Sequence, residues 1–253
     1  MKVGLQLYTL REETAGDFVG TLQRVAEIGY AGVEFAGYGG LQPERLKQVL
    51  DELGLAAVGS HVGLERLREH LDEEIAMNVA IGSRYVVCPY LSEEDRSEAG
   101  LPGTIAVFAE ASRRLGEHGI RFGYHNHDFE FTEKIGDKLL FDQIFASMTP
   151  EQLQIELDVC WVRHGGYDPV DYIGKYAGRV PLIHLKDLRT LQDGRGQTVI
   201  LGQGELDLKA VIEAGGKAGV EWFVVEQDEC QEPPLASVTS SMEWLKQHSD
   251  LIS

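Results

Sequence analysis

Eight apolar, strand-like runs alternate with eight amphipathic, helix-like runs along this 253-residue chain. The strand-like runs are Val3–Tyr8, Gly32–Phe35, Leu55–Ser60, Arg84–Pro89, Ile120–His125, Leu153–Leu157, Val180–Leu185 and Trp222–Glu226. Helix-like segments follow each of them: Asp17–Ile28, Pro43–Leu53, Leu64–Ile81, Gly103–His118, Lys138–Ser147, Pro169–Tyr176, Leu208–Ala218 and Leu235–Gln247. In the first, Phe18, Leu22, Val25 and Ile28 fall on one face, and Gly29 stands where a helix commonly ends. Pro43 opens the second at its first turn, where a missing N–H costs nothing. Strict alternation calls for parallel strands with crossover helices. Eight such units in about 250 residues is the size of a closed barrel. The competing doubly wound sheet needs a glycine-rich phosphate turn after its first strand, and YTLREE has none. The expected fold is α/β, a (β/α)8 TIM barrel forming a single domain over residues 1–253.

Composition narrows the function. Apolar residues make up 43% of the chain, enough for a full core, yet no apolar run nears the roughly 20 residues that span a bilayer. The start, MKVGLQLYTLREE, meets charge too early for a secretory leader. Cys88, Cys160 and Cys230 are odd in number and scattered without a CxxC, so a reduced, cytoplasmic setting is expected, with no membrane partner. Against 23 Lys and Arg stand 41 Asp and Glu, a net charge of −18. A protein that grips phosphate backbones presents the opposite balance, so nucleic acid is not expected as a partner.

A barrel carries its chemistry at the C-terminal ends of its strands, and there the sequence is crowded with polar residues. The fifth run leads into GYHNHDFEF, in which His125 and His127 share a face with Asn126 opposite, and Glu130 can fold back over the strand end. Tyr8, Glu34 and His61 close the first three runs. Glu156 and Asp158 close the sixth, with Trp161 and His164 beyond; His184, Lys186 and Asp187 belong to the seventh, and Glu226 and Asp228 to the eighth. Each has an ordinary reading alone, as a loop histidine, a surface ion pair or rim packing. As an ensemble, Asp158, His184 and Glu226 close three different strands. With a carboxylate from the fifth they form an O,O,O,N donor set, suited to Mn2+, Mg2+ or Co2+ more than to a structural zinc.

The pieces YHNHDFEF at 124–131, ELDVCWVRHGGYDP at 156–169, HLKD at 184–187 and VEQD at 225–228, with SHVGL at 60–64, resemble the xylose isomerase-like TIM-barrel superfamily of sugar isomerases, epimerases and inosose dehydratases. The resemblance spans essentially the whole chain. It implies one divalent ion, Mn2+ first with Mg2+, Co2+ or Zn2+ as alternatives, held by Asp158, His184, Glu226 and a strand-five glutamate. Where relatives place that glutamate on the strand, this chain has His125, so Glu130 is the expected ligand and His127 its rival. The implied activity is a metal-dependent isomerase or epimerase that removes a proton α to the carbonyl of an unphosphorylated keto-sugar or cyclitol. Glu226 is the first base, with His127 or Glu130 on the opposite face. Lys186 and His61 are expected to orient oxygens. Tyr8, Glu34, His125, Trp161 and His164 complete the substrate contacts. The alternatives are a dehydratase or 3-keto-glycoside lyase working through the same proton abstraction, and a sugar-binding barrel without turnover. A homodimer is the family-level expectation.

Overall fold

Alternation of side chains on eight short strands settles the architecture. In the computed structural model, which describes residues 2–248, the strands are β1 (Lys2–Gln6), β2 (Gly32–Phe35), β3 (Ala56–His61), β4 (Tyr85–Cys88), β5 (Arg121–His125), β6 (Gln154–Asp158), β7 (Leu182–Leu185) and β8 (Trp222–Val225). They form a closed, wholly parallel barrel in chain order, with β1 pairing β8. This is the expected (β/α)8 TIM barrel. One face of each strand packs against the helices through residues such as Leu5, Phe35, Ile155, Ile183 and Phe223. The other fills the barrel: Val58, Tyr85, Val87, Leu182, Trp222 and Val224 form a separate apolar cluster inside it. Gly32 makes this cluster possible, because a Cβ there would lie 2.7 Å from Ala56 O and 3.1 Å from the Trp222 ring. The apolar plug closes the lower barrel, so polar side chains collect at the upper end.

Two expectations shift, and two further segments take regular structure. The first strand stops at Gln6, whose side-chain oxygen accepts from Tyr8 N–H and caps a 3-10 turn over Leu7–Leu10. The helix expected over Leu64–Ile81 is two, Leu64–Glu69 and Leu71–Ile81, with His70 non-helical between them (φ −130°) so that Leu67 and Leu71 both stay buried. The segment after β6 is itself helical from Val159 to His164, capped by the Asp158 carboxylate. The segment after β7 begins as a hairpin, Asp187–Thr190 against Gly196–Val199. Asp187 organises its base by accepting from the N–H groups of Leu188, Gly202, Gly204 and Leu206. Among the described residues no helix is long and apolar enough to cross a membrane.

Candidate active site

Register brings the polar residues together. Across neighbouring strands Gln6 lies beside Glu34, His125 beside Glu156, and Asp158 beside His184. The inward residues of β6 are therefore Glu156 and Asp158, two positions apart on one face. Two overlapping groups converge so that their ligating atoms lie within 4.8 Å of one another: His125, Asp158, His184 and Glu226, and, deeper, His61, His125, Glu156 and His184.

The deeper layer is a network of imidazoles on carboxylates. Glu156 Oε2 meets His61 Nε2 at 2.6 Å, His125 Nδ1 at 3.1 Å and His184 Nε2 at 3.2 Å. Glu34 Oε2 accepts from Gln6 Nε2 at 2.8 Å and lies 2.6 Å from His184 Nε2. Gly59 leaves room for this carboxylate, since a Cβ there would stand 2.9 Å from Glu34 Oε1. Nearer the mouth, His184 Nδ1 is 2.8 Å from Glu226 Oε2. Lys186 Nζ lies 2.6 Å from Glu226 Oε2, 2.9 Å from Asp158 Oδ2 and 3.0 Å from Asp228 Oδ2. Asn126, on the opposite face from His125, clamps β5 to β6 by accepting from Asp158 N–H (3.0 Å) and donating to its carbonyl (3.3 Å).

Burial sets the protonation pattern. It pushes Glu34 up to about 7, with Glu156 adding repulsion, and Asp158 up to about 6 against the pull of Lys186. At Glu156 and Glu226 burial also opposes ionisation, but His184 and His61 at the first, and Lys186 and His184 at the second, hold both carboxyls well below the usual range. His61 and His184 are raised, burial being outweighed by the facing carboxylates. Burial and neighbouring cations depress His125, and they bring His127 down to about 3. The site thus holds two imidazoles whose basicity is raised, His61 and His184, and two whose basicity is lowered, His125 and His127.

Above the cluster opens a cavity of about 450 Å3, a size suited to a small polar ligand. Tyr8, His61, His125, His127 and Glu226 line it, as does Arg11, which the sequence reading passed over. Three expected substrate contacts are absent from its walls. Glu34 is fully buried beneath His184. Trp161 stands behind His127 and Lys186, its ring centroid 6.0 Å from that of His127 and 5.7 Å from Lys186 Nζ. His164 faces Asp128 at 3.6 Å.

Glu130, the expected strand-five ligand, belongs to neither convergent group. The helical turn Phe129–Thr132 folds it back, so that one oxygen accepts from Tyr124 O–H and the other from His127 N–H at 2.8 Å. Burial pushes its carboxyl up to about 8. The folded protein therefore binds this proton more tightly than the unfolded chain. The resulting stability is complete below about pH 4.5 and lost as pH rises towards 8, at up to about 1.4 kcal/mol per pH unit. Glu130→Gln reproduces the donor and acceptor of the protonated carboxyl. Urea titrations are expected to show the variant gaining on wild type steadily from pH 5 to 8, and a pH-independent difference would refute the assignment. Glu156 is the residue missed as a site member. Its signal was its two-residue spacing from Asp158.

The residues present fit a divalent cation. Asp158 Oδ2, Glu34 Oε1 and Glu156 Oε1 are buried without a hydrogen-bond partner, the Lys186 contact to Asp158 falling outside hydrogen-bond geometry. The Lys186 ammonium, 1% exposed, already stands between Asp158 and Glu226, so oxygens of these two acids already face one positive charge.

A closed parallel barrel with a buried carboxylate–imidazole cluster at its strand ends defines the class, and residues 22–248 match the model of the xylose isomerase-like TIM barrel family, to which this chain belongs. It is similar to an inosose dehydratase of Geobacillus kaustophilus, 25% identical over 191 residues, 66% of this chain and 61% of that protein. The rhizopine catabolism protein MocC of Rhizobium meliloti is 26% identical over 255 residues, covering 85% of this chain and 76% of its own. Among solved structures, a sugar phosphate isomerase/epimerase from Parabacteroides distasonis superposes with a TM-score of 0.80 at 25% identity, covering 97% of this chain and 98% of that one.

Proposed function

We propose that this protein is a divalent-metal-dependent enzyme that removes the proton α to the carbonyl of a neutral, polyhydroxylated ketone, a keto-cyclitol or keto-sugar, and expels the β-hydroxyl as water. The convergence of Asp158, His184 and Glu226 on one cation position beside the cavity carries this reading. Held by these residues, Mn2+ or a related divalent cation supplies Lewis-acid stabilisation of negative charge on a substrate oxygen. Glu226 is the base: its carboxyl is kept ionised, it lines the cavity, and Lys186 and His184 engage only Oε2, leaving Oε1 to accept the proton. His61 is the acid for the departing hydroxyl. Glu156 holds its Nε2 at 2.6 Å and favours the imidazolium, while Nδ1 remains for the cavity. The strand-five histidines are less suited to that role, because burial and neighbouring cations lower the basicity of both. Arg11 is tied to the carbonyls of Tyr8 and Asp228, and Asp228 and Glu229 share the cavity wall, which favours an uncharged substrate over a phosphorylated one.

Dehydration is the first reading because inosose dehydratases are similar in sequence over half to two thirds of this chain, 25% and 30% identical over 191 and 153 residues. Isomerisation or epimerisation is the second reading, supported by the likeness to the Parabacteroides protein over nearly the full length of both chains. Incubation in D2O with inososes, ketoses and 3-keto-glycosides, with Mn2+ or Co2+ loaded and then quenched, tests both. Metal-dependent deuterium exchange with water loss is expected. Exchange with redistributed sugar isomers selects the second reading, and no exchange over the panel overturns the proposal.

A further inference from the structure

Both histidines in the group nearest the cavity have one ring nitrogen turned towards the acids Asp158 or Glu226 and the other engaged by a buried carboxylate. His184 presents Nδ1 to Glu226 at 2.8 Å while its Nε2 meets Glu34 at 2.6 Å. His125 presents Nε2 to Asp158 at 3.8 Å while its Nδ1 meets Glu156 at 3.1 Å. A metal-bound imidazole is held in this way, its remote N–H donated to a carboxylate that sets tautomer and ring orientation. From this pairing we infer that His125 is the fourth protein ligand of the cation, that the centre is an N,N,O,O set of His125, Asp158, His184 and Glu226, and that Glu156 and Glu34 are positioning residues for its two imidazoles.

The inference rests on the metal-dependent reading above and adds the donor set and its selectivity. Two imidazoles move preference away from Mg2+, which favours oxygen donors, towards Zn2+ and Co2+. It also selects between the two convergent groups. In the deeper group one nitrogen of each imidazole, His61 Nε2, His125 Nδ1 and His184 Nε2, already has Glu156 Oε2 within 3.2 Å, so an ion held by those nitrogens would have to displace these contacts. An ion in the outer group leaves them intact and lies beside His125 and Glu226, both on the cavity wall. Lys186 then retains Asp228, whose two oxygens are at 3.0 and 3.1 Å.

Co2+-loaded protein tests this by proton NMR, in which each bound imidazole contributes a hyperfine-shifted, exchangeable N–H resonance. Two are expected. His125→Glu should remove one and Glu156→Gln should shift it or speed its exchange with solvent, while Glu34→Gln does the same to the other. Competition titrations of wild type should show at least a thousandfold preference for Co2+ over Mg2+, narrowed at least tenfold in His125→Glu. Should His125→Glu fail to fold by circular dichroism, His125→Asn is read in the same spectrum. A single resonance unaffected at position 125 overturns the inference while leaving a metalloenzyme. Three resonances insensitive to Asp158→Asn place the ion in the deeper group and also overturn it. Absence of any bound metal removes both this inference and the metal-dependent function.

Discussion

Glu226→Gln is expected to slow α-proton exchange by at least about a thousandfold, equivalent to roughly 4 kcal/mol of transition-state stabilisation, with little change in fold. The expectation follows from its position. Glu226 directly follows β8, is 6% exposed, and lies on the cavity wall, where it meets Lys186 at 2.6 Å and His184 at 2.8 Å. Glutamine keeps the shape and an acceptor for one of these partners, so the thermal midpoint should move little. It cannot take a proton, so exchange should collapse even when the metal is retained. Metal content is measured on the same sample. Exchange lost with metal retained assigns the base, whereas exchange and metal lost together show that Glu226 acts mainly as a ligand. A folded, loaded variant with near-wild-type exchange would exclude Glu226 as the base.

Lys186→Met is expected to destabilise the metal-free protein by about 3–5 kcal/mol, the range for removing one partner from a buried ion cluster. Lys186 faces Asp158, Glu226 and Asp228 within 3.0 Å, and its pKa stays well above the ordinary value because these three acids outweigh its burial. Without it, these acids keep only the imidazoles as positive neighbours. Saturating Mn2+ or Co2+ should restore most of the loss. At a hundred times the dissociation constant, binding contributes about 2.7 kcal/mol, and the variant should gain more than wild type because its acids have lost their standing cation. Urea unfolding with chelator and with metal measures both quantities. A variant as stable as wild type with chelator present, and indifferent to metal, would show that these acids do not form a cation site.

The legible parts of the chain were those with a local cause. Gly32–Phe35, Pro43–Leu53 and Leu208–Ala218 form with the bounds their periodicity predicts, because apolar spacing, a first-turn proline and a closing glycine act within a few residues. Asp158, His184 and Glu226 were legible as a group because each lies within one residue of the end of its strand, where a barrel brings strands together. Glu130 was not. It lies five residues from His125, yet a helical turn gives its oxygens to Tyr124 and His127 N–H. Conversely, His61 and Glu156, 95 positions apart, meet at 2.6 Å.

The alternation of periods two and 3.6, present in the sequence by itself, determines the ring of eight strands and the polar character of their ends, because each is a property of neighbouring residues. Only the tertiary structure decides which imidazole faces which carboxylate, which acid is raised and which is held ionised, and that Glu34 supports His184 from below instead of lining the cavity. Those outcomes depend on strand register, barrel closure and the depth of burial at each pair, and none of these is encoded within a single strand.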